Sequence, residues 1–130
     1  MSHKEVEIIL TRQLASYLTL PAFIVDAAGT LVFYNEAAER VLGVRFEETG
    51  EMPATEWASA WSPTDDAGSP VAAETLPLMI ALTKRRVAHG HLWVHSFDHS
   101  RRKVEVVAFP LSGQGERNLG AMLIFQEVGH

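Results

Sequence analysis

The sequence predicts an α+β domain, in which a five-stranded antiparallel sheet carries small helices on one face and follows an amphipathic helix. The first observation is a hairpin pattern: two apolar runs, 22–26 and 31–35, flank turn residues and lead into a short helix at 36–42. The second is the last third of the chain, where three further strand patterns occur at 88–97, 103–111 and 118–127. Strands and small helices in this order favour one antiparallel sheet.

Size, charge and cysteine content narrow the class of protein. The 130 residues suffice for one domain with its own core, and 47% hydrophobic residues is ordinary globular composition. The net charge of −5 argues against nucleic acid as a partner, because nucleic-acid-binding surfaces are usually basic. The absence of cysteine excludes disulfides and thiolate chemistry. No apolar run reaches the roughly 20 residues of a membrane span, so we expect a cytoplasmic protein with no membrane partner.

The N-terminal segment predicts an amphipathic helix over residues 4–18. Its apolar stripe is formed by Val6, Leu10, Leu14 and Tyr17. The helix should end at Leu20, because a residue that precedes proline is disfavoured in the α region.

Local signals then define the hairpin and the helix that follows it. Asp26 is expected to accept backbone amides in its own turn, with Gly29 completing that turn. Asn35 is expected to cap the helix 36–42, and Gly43 is expected to end it in the left-handed conformation.

The middle of the chain has weaker patterns. A short helix at 53–61 would place Trp57 and Trp61 on one face, four residues apart. The segment 62–70 has turn chemistry and predicts a surface loop. A second helix is predicted at 77–85, with a proline as its first residue.

Alternation along the last three strands separates two sets of side chains. The set expected to face the helices is Leu92, Val94, Val104, Val106, Ala108, Met122 and Ile124. The opposite set is also apolar, and it consists of Trp93, Val107, Phe109, Leu119, Leu123 and Phe125. An exposed apolar patch of this extent marks an interaction surface. We therefore expect the first helix and a second protomer to cover it, giving a homodimer; if the chain's own helix covers the whole patch, the protein is a monomer.

Several of these segments together resemble the PAS family of sensory domains. Phe-Ile-Val-Asp at 23–26 and Leu-Val-Phe-Tyr-Asn-Glu-Ala-Ala-Glu-Arg at 31–40 resemble its opening hairpin and first helix. The segment 77–82 is similar to the helix before its long strand, and 103–111 with 119–125 resemble its closing hairpin. Residues 98–99 depart from a common Asp-Gly turn, and 127–129 depart from the Asp-Ile/Val-Thr signature that often leads to an effector.

The resemblance implies a division into an N-terminal helix for packing or dimerisation, 1–20, and a PAS domain, 21–128. It also implies that a ligand or cofactor, when present, lies between the sheet and the helices. Carried over by position, the pocket wall consists of Phe23, Val25, Ala38, Leu92, Val94, Val104, Val106, Ala108, Met122 and Ile124, with Ile80 and Leu82 from the opposing helix.

No cofactor is expected in this pocket. Light-sensing PAS relatives form a photoadduct with a cysteine that this chain lacks, and the implied wall has no amides for a flavin ring. Haem-binding relatives place an axial histidine in or just after the helix that here spans 77–85, and this helix has none. His89, His91 and His95 lie on the next strand, where alternation turns them away from the pocket. Without a carboxylate or cysteine companion they are expected to form a solvated or interface cluster rather than a metal site.

No enzyme motif is present: the chain has no Gly-x-Ser-x-Gly, no His-Glu-x-x-His and no phosphate-binding loop. The resemblance therefore favours a non-enzymatic sensory or regulatory module in signal transduction. It would bind a small apolar ligand, or none, and would signal through the N-terminal helix and the dimer interface to an effector. The alternative is a ligand-free dimerisation module that uses the apolar outer face of the sheet.

Overall fold

The computed structural model describes residues 6–128 and confirms the α+β class. Its elements in chain order are α1 (Val6–Ser16), β1 (Ala22–Asp26), β2 (Leu31–Tyr34), α2 (Glu36–Leu42), α3 (Phe46–Thr49), α4 (Ala54–Ala60), α5 (Pro77–Lys84), β3 (Ala88–His95), β4 (Arg101–Ser112) and β5 (Asn118–Glu127). The predicted start of the first helix at residue 4 lies outside the described residues. Within them, no helix has the length and apolar character needed to cross a membrane.

The five strands form one antiparallel sheet in the order β2-β1-β5-β4-β3. The first hairpin therefore lies beside the last strand of the chain. Phe23 of β1 pairs with Leu123 of β5, and Val106 of β4 pairs with Phe125 of β5. Paired side chains share a face of the sheet. These four lie on the face that α2, α4 and α5 cover, which we call the inner face.

Each edge of the sheet is bridged at one position by a segment that flanks α4. Met52 exchanges backbone hydrogen bonds with Leu31 of β2, at 2.7 and 3.2 Å. Thr64 does the same with Trp93 of β3, at 2.8 and 2.9 Å. These bridges satisfy edge groups that would otherwise be free to pair with another chain. They also anchor α4 at both ends, so that it spans the inner face.

The predicted caps are confirmed. The Asn35 side chain accepts a hydrogen bond from the Ala38 amide at 3.0 Å, and Gly43 ends α2 with a φ of 80°. Pro77 is the first residue of α5. The sequence did not predict α3, Phe46–Thr49, because a single helical turn has too few residues to show a period.

Two apolar clusters of unequal size flank the sheet. The inner cluster contains the buried residues Phe23, Val25, Leu31, Tyr34, Ala38, Val41, Leu42, Met52, Trp57, Trp61, Leu76, Leu78, Ala81, Leu82, Val94, Val104, Val106, Ala108, Ala121 and Phe125. The outer cluster contains Ile8, Ala15, Ala22, Ile24, Val32, Leu119 and Met122. The inner face thus carries most of the core, and the outer face carries a second layer under α1.

Helix α1 packs on the outer face with a different side from the one predicted. Ile8 and Ala15, two turns apart, are buried at 2% and 0% exposure. The predicted stripe, Val6, Leu10, Leu14 and Tyr17, lies on the exposed side, where Leu14 keeps 63% of its surface in water. The expectation that this stripe covers the sheet is wrong. A small alanine allows the helix to approach the strands, and counting large apolar residues did not find it.

The predicted phase of β5 is also wrong. Met122 belongs to the outer cluster, and Ile124 lines a groove on the outer face. Leu123 and Phe125 belong to the inner face. Alternation of residue type shows which face of a strand points to the core only where the other face is polar. The middle of β5 is apolar on both faces.

Candidate functional site

An apolar cavity of about 80 Å³ lies between the inner face of the sheet and helices α4 and α5. It is lined by Phe23, Leu42, Trp57, Ala58, Trp61, Pro63, Leu76, Pro77, Leu78, Leu92, Val94, Val104, Val106, Leu123 and Phe125. Pro63, Pro77 and Leu92 are only half-buried, so the cavity comes nearest to the surface between the α4–α5 connection and β3. Cavities of this kind, lined by hydrophobic residues, are the usual form of a small-molecule site.

The structure brings together part of the predicted pocket. Phe23, Leu92, Val94, Val104 and Val106 line the cavity. The buried residues Val25, Ala38, Leu82 and Ala108 belong to the surrounding inner cluster without lining the cavity. Ile80 is half-buried and is not a lining residue. As described above, Met122 and Ile124 lie on the outer face instead.

Sequence reasoning missed the helical half of the wall. Leu42 of α2, Trp57 of α4 and Leu78 of α5 all face the cavity. The spacing of Trp57 and Trp61 was the available signal, since it placed two large side chains on one face of a short helix. It did not indicate that this face points toward Phe23 of β1.

An aromatic group forms one end of the cavity. The Phe23 ring meets Trp57 edge-on at a centroid distance of 5.7 Å and meets Trp61 in the same way at 6.0 Å. Tyr34 stacks against Phe23 at 5.9 Å with an interplanar angle of 5°. Such pairs contribute beyond their burial, by about 0.5–1.5 kcal/mol each. They hold Trp57 and Trp61 in fixed orientations.

Among the described residues that line the cavity, only the two tryptophans have a side-chain hydrogen-bonding group, and both indole N–H groups are engaged elsewhere. The Trp57 indole N–H donates to the Gly29 carbonyl at 2.8 Å. The Trp61 indole N–H donates to the Leu42 carbonyl at 3.1 Å. Each tryptophan therefore presents apolar ring surface to the cavity.

The outer face of β3 and β4 carries a separate, open groove lined by polar and apolar residues. Its floor includes Val107 and Ile124, and its rim includes His89, His91 and Glu105. His91 Nε2 lies 3.3 Å from a carboxylate oxygen of Glu105. The histidines face away from the inner cavity, as alternation predicted. No group of three or more His, Cys, Asp or Glu side chains within residues 6–128 is placed to hold a metal ion.

The predicted interface residues fall into three groups. Val6, Leu10, Leu14, Tyr17 and Val107 are exposed. Phe109 and Leu119 pack within the outer cluster beside α1, while Leu123 and Phe125 face inward.

Trp93, also predicted at the interface, is held by polar neighbours. Its indole N–H donates to Asp66 at 2.9 Å, and the Arg101 guanidinium lies 4.1 Å from its ring centroid. This hydrogen bond, together with the nearby Lys103 ammonium, lowers the pKa of the Asp66 carboxyl below its usual value. The Trp93 side chain is therefore engaged in contacts within its own chain.

A sequence profile described as the PAS fold matches residues 17–130. The chain belongs to the PAS family. A search of curated proteins gave no significant match. The matched residues include every strand of the sheet and all helices after α1, so the cavity lies wholly within the PAS domain.

Solved PAS structures have the same fold at low sequence identity. A Rhodobacter sphaeroides LOV protein superposes with a TM-score of 0.74 and 15% identity, over 97% of this chain and 70% of that one. The PAS domain of the fruit-fly ELK potassium channel gives a TM-score of 0.70 at 8% identity, over 98% and 100%. The PAS domain of nitrogen regulation protein NR(II) from Vibrio parahaemolyticus gives 0.63 at 16%, over 92% and 98%. These identities support a shared fold and no more.

The cavity of this PAS domain does not fit a flavin or a haem. An engineered cavity of about 150 Å³ holds a single benzene ring, so a cavity of about 80 Å³ is too small for a three-ring system. The wall has no free side-chain donor for a flavin ring. Among residues 6–128, no histidine lines the cavity to ligate a haem iron, and His89 and His91 line the outer groove.

Asn35 links the PAS core to α1. Its side-chain oxygen accepts from the amides of Ala22 and Ala38, both at 3.0 Å. Its side-chain nitrogen donates to the carbonyls of Ala15 at 3.0 Å and Leu20 at 2.9 Å. One buried amide thus satisfies the end of α1, the start of β1 and the start of α2. The sequence predicted only the last of these three.

Proposed function

We propose that this PAS sensory domain is a non-enzymatic signalling module that binds a small apolar ligand in the inner cavity. Occupancy would be passed to α1 and to a homodimer interface, which would act on an effector. The observation that carries the proposal is the cavity itself, an apolar space lined by residues of three helices and the central strands. A cytoplasmic location, without nucleic-acid or membrane partners, stays a prediction.

A contiguous set of contacts supports coupling between the cavity and α1. Leu42, at the end of α2, lines the cavity. The other end of α2 is capped by Asn35, whose side-chain amide also donates to the Ala15 carbonyl in the last turn of α1. A ligand that shifts α2 would alter the hydrogen bonds that keep α1 on the sheet. Such coupling requires the ligand to bind one arrangement more tightly than the other.

The test of ligand binding uses a matched pair of variants on β4. Val106 lines the cavity at 3% exposure, and the next residue, Val107, points to the outer face at 45% exposure. Val106→Phe fills the cavity, and Val107→Phe adds the same bulk outside it. Xenon followed by methyl NMR should bind in the cavity of the wild type and of Val107→Phe but not in that of Val106→Phe, and native mass spectrometry of freshly purified protein reports any larger guest that is retained. Amide exchange in α1 should change when this ligand is removed.

Two results would contradict the ligand proposal. One is a wild-type protein that carries no small molecule and whose cavity also fails to bind xenon. The other is a ligand that is retained by Val106→Phe, because it would then bind elsewhere. If the ligand binds in the cavity but its removal leaves α1 exchange unchanged, the signalling route through Asn35 is wrong.

The second candidate function, a ligand-free dimerisation module, is favoured by the exposed side of α1. Val6, Leu10, Leu14 and Tyr17 form an apolar stripe that no described residue covers. Leu14→Glu should convert a dimer to a monomer in size-exclusion chromatography with light scattering, while Val87→Glu, at a 61% exposed site away from α1, should not. A monomeric wild type would contradict the dimer in both candidate functions.

A further inference from the structure

The cavity restricts the size and chemistry of its ligand more narrowly than its apolar character alone would. We infer that it selects a neutral guest with no hydrogen-bonding group and a size below that of a benzene ring, such as a dissolved nonpolar gas or a short hydrocarbon. This inference rests on the proposed function, since it names the ligand class of the same cavity. Three features carry it: the volume, the engagement of the indole donors and the backbone around the cavity's outer end.

Volume sets the upper limit of size. The cavity measures about 80 Å³, roughly half of the engineered space of about 150 Å³ that accepts benzene or xenon. A single xenon atom is therefore within its capacity, whereas a six-membered ring requires the wall to move. The stacked and edge-on rings of Phe23, Trp57 and Trp61 resist such movement, since each ring is packed against another.

The direction of the indole N–H groups sets the chemistry. Trp57 and Trp61 each have one donor, and both donors point out of the cavity to backbone carbonyls. A guest with a hydroxyl, amine or carboxylate would bury that group without a side-chain partner. Burying an unpaired hydroxyl in an apolar site is unfavourable by several kcal/mol on alkane transfer scales.

Two backbone carbonyls near the outer end of the cavity are also engaged. The Pro63 carbonyl accepts from the Val71 amide at 3.0 Å, and the Leu76 carbonyl accepts from the Ile80 amide at 3.0 Å. Pro63 and Pro77 have no amide hydrogen to donate. These two carbonyls offer no free acceptor to a guest, and the first-turn amides of α5 are the backbone donors that the phenol comparison tests.

The experiment compares three probes on the full chain: xenon, benzene and phenol. Methyl NMR shifts report where each probe binds. Xenon should shift the methyl groups of Val106 and Leu92 and leave Val107, on the outer face, unchanged. Benzene should bind weakly to the wild type and about tenfold more tightly to Leu78→Ala, which enlarges the cavity, and phenol should bind that variant about tenfold less tightly than benzene. Val87→Ala is the exposed control, with no gain expected.

Leu92→Ala gives the same comparison if Leu78→Ala does not fold, because Leu92 lines the cavity and is only half-buried. Phenol that binds as tightly as benzene would overturn the exclusion of hydrogen-bonding groups, and it would indicate that first-turn amides of α5 reach the guest. Xenon that fails to shift the lining methyl groups would overturn the inference as a whole.

Failure of this inference is distinguishable from failure of the proposed function. A polar molecule that co-purifies in the cavity and alters α1 exchange would support the sensory role and overturn the ligand class. Xenon and benzene that bind as expected, with no effect on α1, would support the ligand class and overturn the signalling role.

Discussion

The two faces of the sheet are both apolar, but they are covered in different ways. On the inner face, α4 is tied to both sheet edges by backbone bridges at Met52 and Thr64. On the outer face, one eleven-residue helix covers β1, β2 and part of β5 through the buried Ile8 and Ala15. The inner cover is thus held at both ends of α4 by hydrogen bonds to the sheet, and the outer cover is held by a few side chains.

Under the proposed function, this difference suits the two sides of the sheet to different roles. A cover that is bridged to the sheet keeps a cavity of fixed shape, which suits selection of a ligand. A helix with two buried residues and an exposed apolar stripe loses few buried contacts when it leaves the sheet. This suits α1 to exchange between packing on its own sheet and packing against a partner. Helices with few buried apolar contacts open at low free energy. The predictions below test this contrast, in order of decreasing effect.

The largest effect is expected at Gly120, where both faces depend on the same pairing of β1 with β5. Gly120 has a φ of 129°, and a methyl group built on it would overlap the Val25 carbonyl oxygen. Gly120→Ala should therefore force β1 away from β5 and lower the free energy of unfolding by about 4 kcal/mol or more. Gly68→Ala is the control, because Gly68 also has a positive φ but its Cβ would meet open space. Urea unfolding measures both, and equal losses would show that conformation rather than overlap is responsible.

Asn35→Ala should have the next largest effect, because Asn35 joins the two sides. The substitution leaves the buried ends of α1, β1 and α2 without partners, and it should lower the free energy of unfolding by about 3 kcal/mol. Exchange of α1 amides should rise at the same time. Asn35→Ser separates the roles, since serine still caps α2 but is too short to bond the Ala15 carbonyl. It should recover about 1 kcal/mol of stability and keep the raised α1 exchange. Recovery of slow α1 exchange in this variant would contradict the link.

The two sides of α1 provide a third prediction. Ile8→Ala removes the main buried contact of the helix and should lower the free energy of unfolding by about 2–3 kcal/mol. Leu10→Ala, on the 57% exposed side, should change it by about 0.5 kcal/mol or less in the monomer. Chemical denaturation at low protein concentration compares them. A large loss for Leu10→Ala under these conditions would mean that the stripe packs within its own chain.

The features of this fold that were predicted correctly are those set by the local chemistry of a single residue. The cap at Asn35 and the stop at Gly43 each follow from one residue's own hydrogen bonding or φ, and the structure confirms both. Which β5 side chains lie on the inner face depends on the helices that cover each face of the sheet, and no residue within the strand indicates that. Placement of Trp57 on the cavity wall depended on the bridges at Met52 and Thr64, which join distant segments. The wall was therefore predicted on β1, β3 and β4, and it was missed on β5 and on the helices.

The smallest effect expected is a dependence on pH at Tyr34, which packs in the inner cluster. Burial raises the pKa of the Tyr34 phenol above its usual value near 10, and its hydroxyl donates to the Val44 carbonyl at 2.9 Å. Above about pH 10 the unfolded chain loses this proton before the folded protein does, so stability should fall as pH rises through that range. Tyr34→Phe should remove this part of the decline and lower stability near neutral pH by about 1 kcal/mol.

Tyr17→Phe is the matched control for this last effect, because Tyr17 is 83% exposed on the free side of α1. Urea unfolding at a series of pH values from about 8 to 11 should give a steeper decline for the wild type and Tyr17→Phe than for Tyr34→Phe. Parallel profiles for all three proteins would mean that Tyr34 ionises equally in the folded and unfolded states. The inner face would then admit water at Tyr34, and the contrast between a closed inner side and an open outer side would fail at this position.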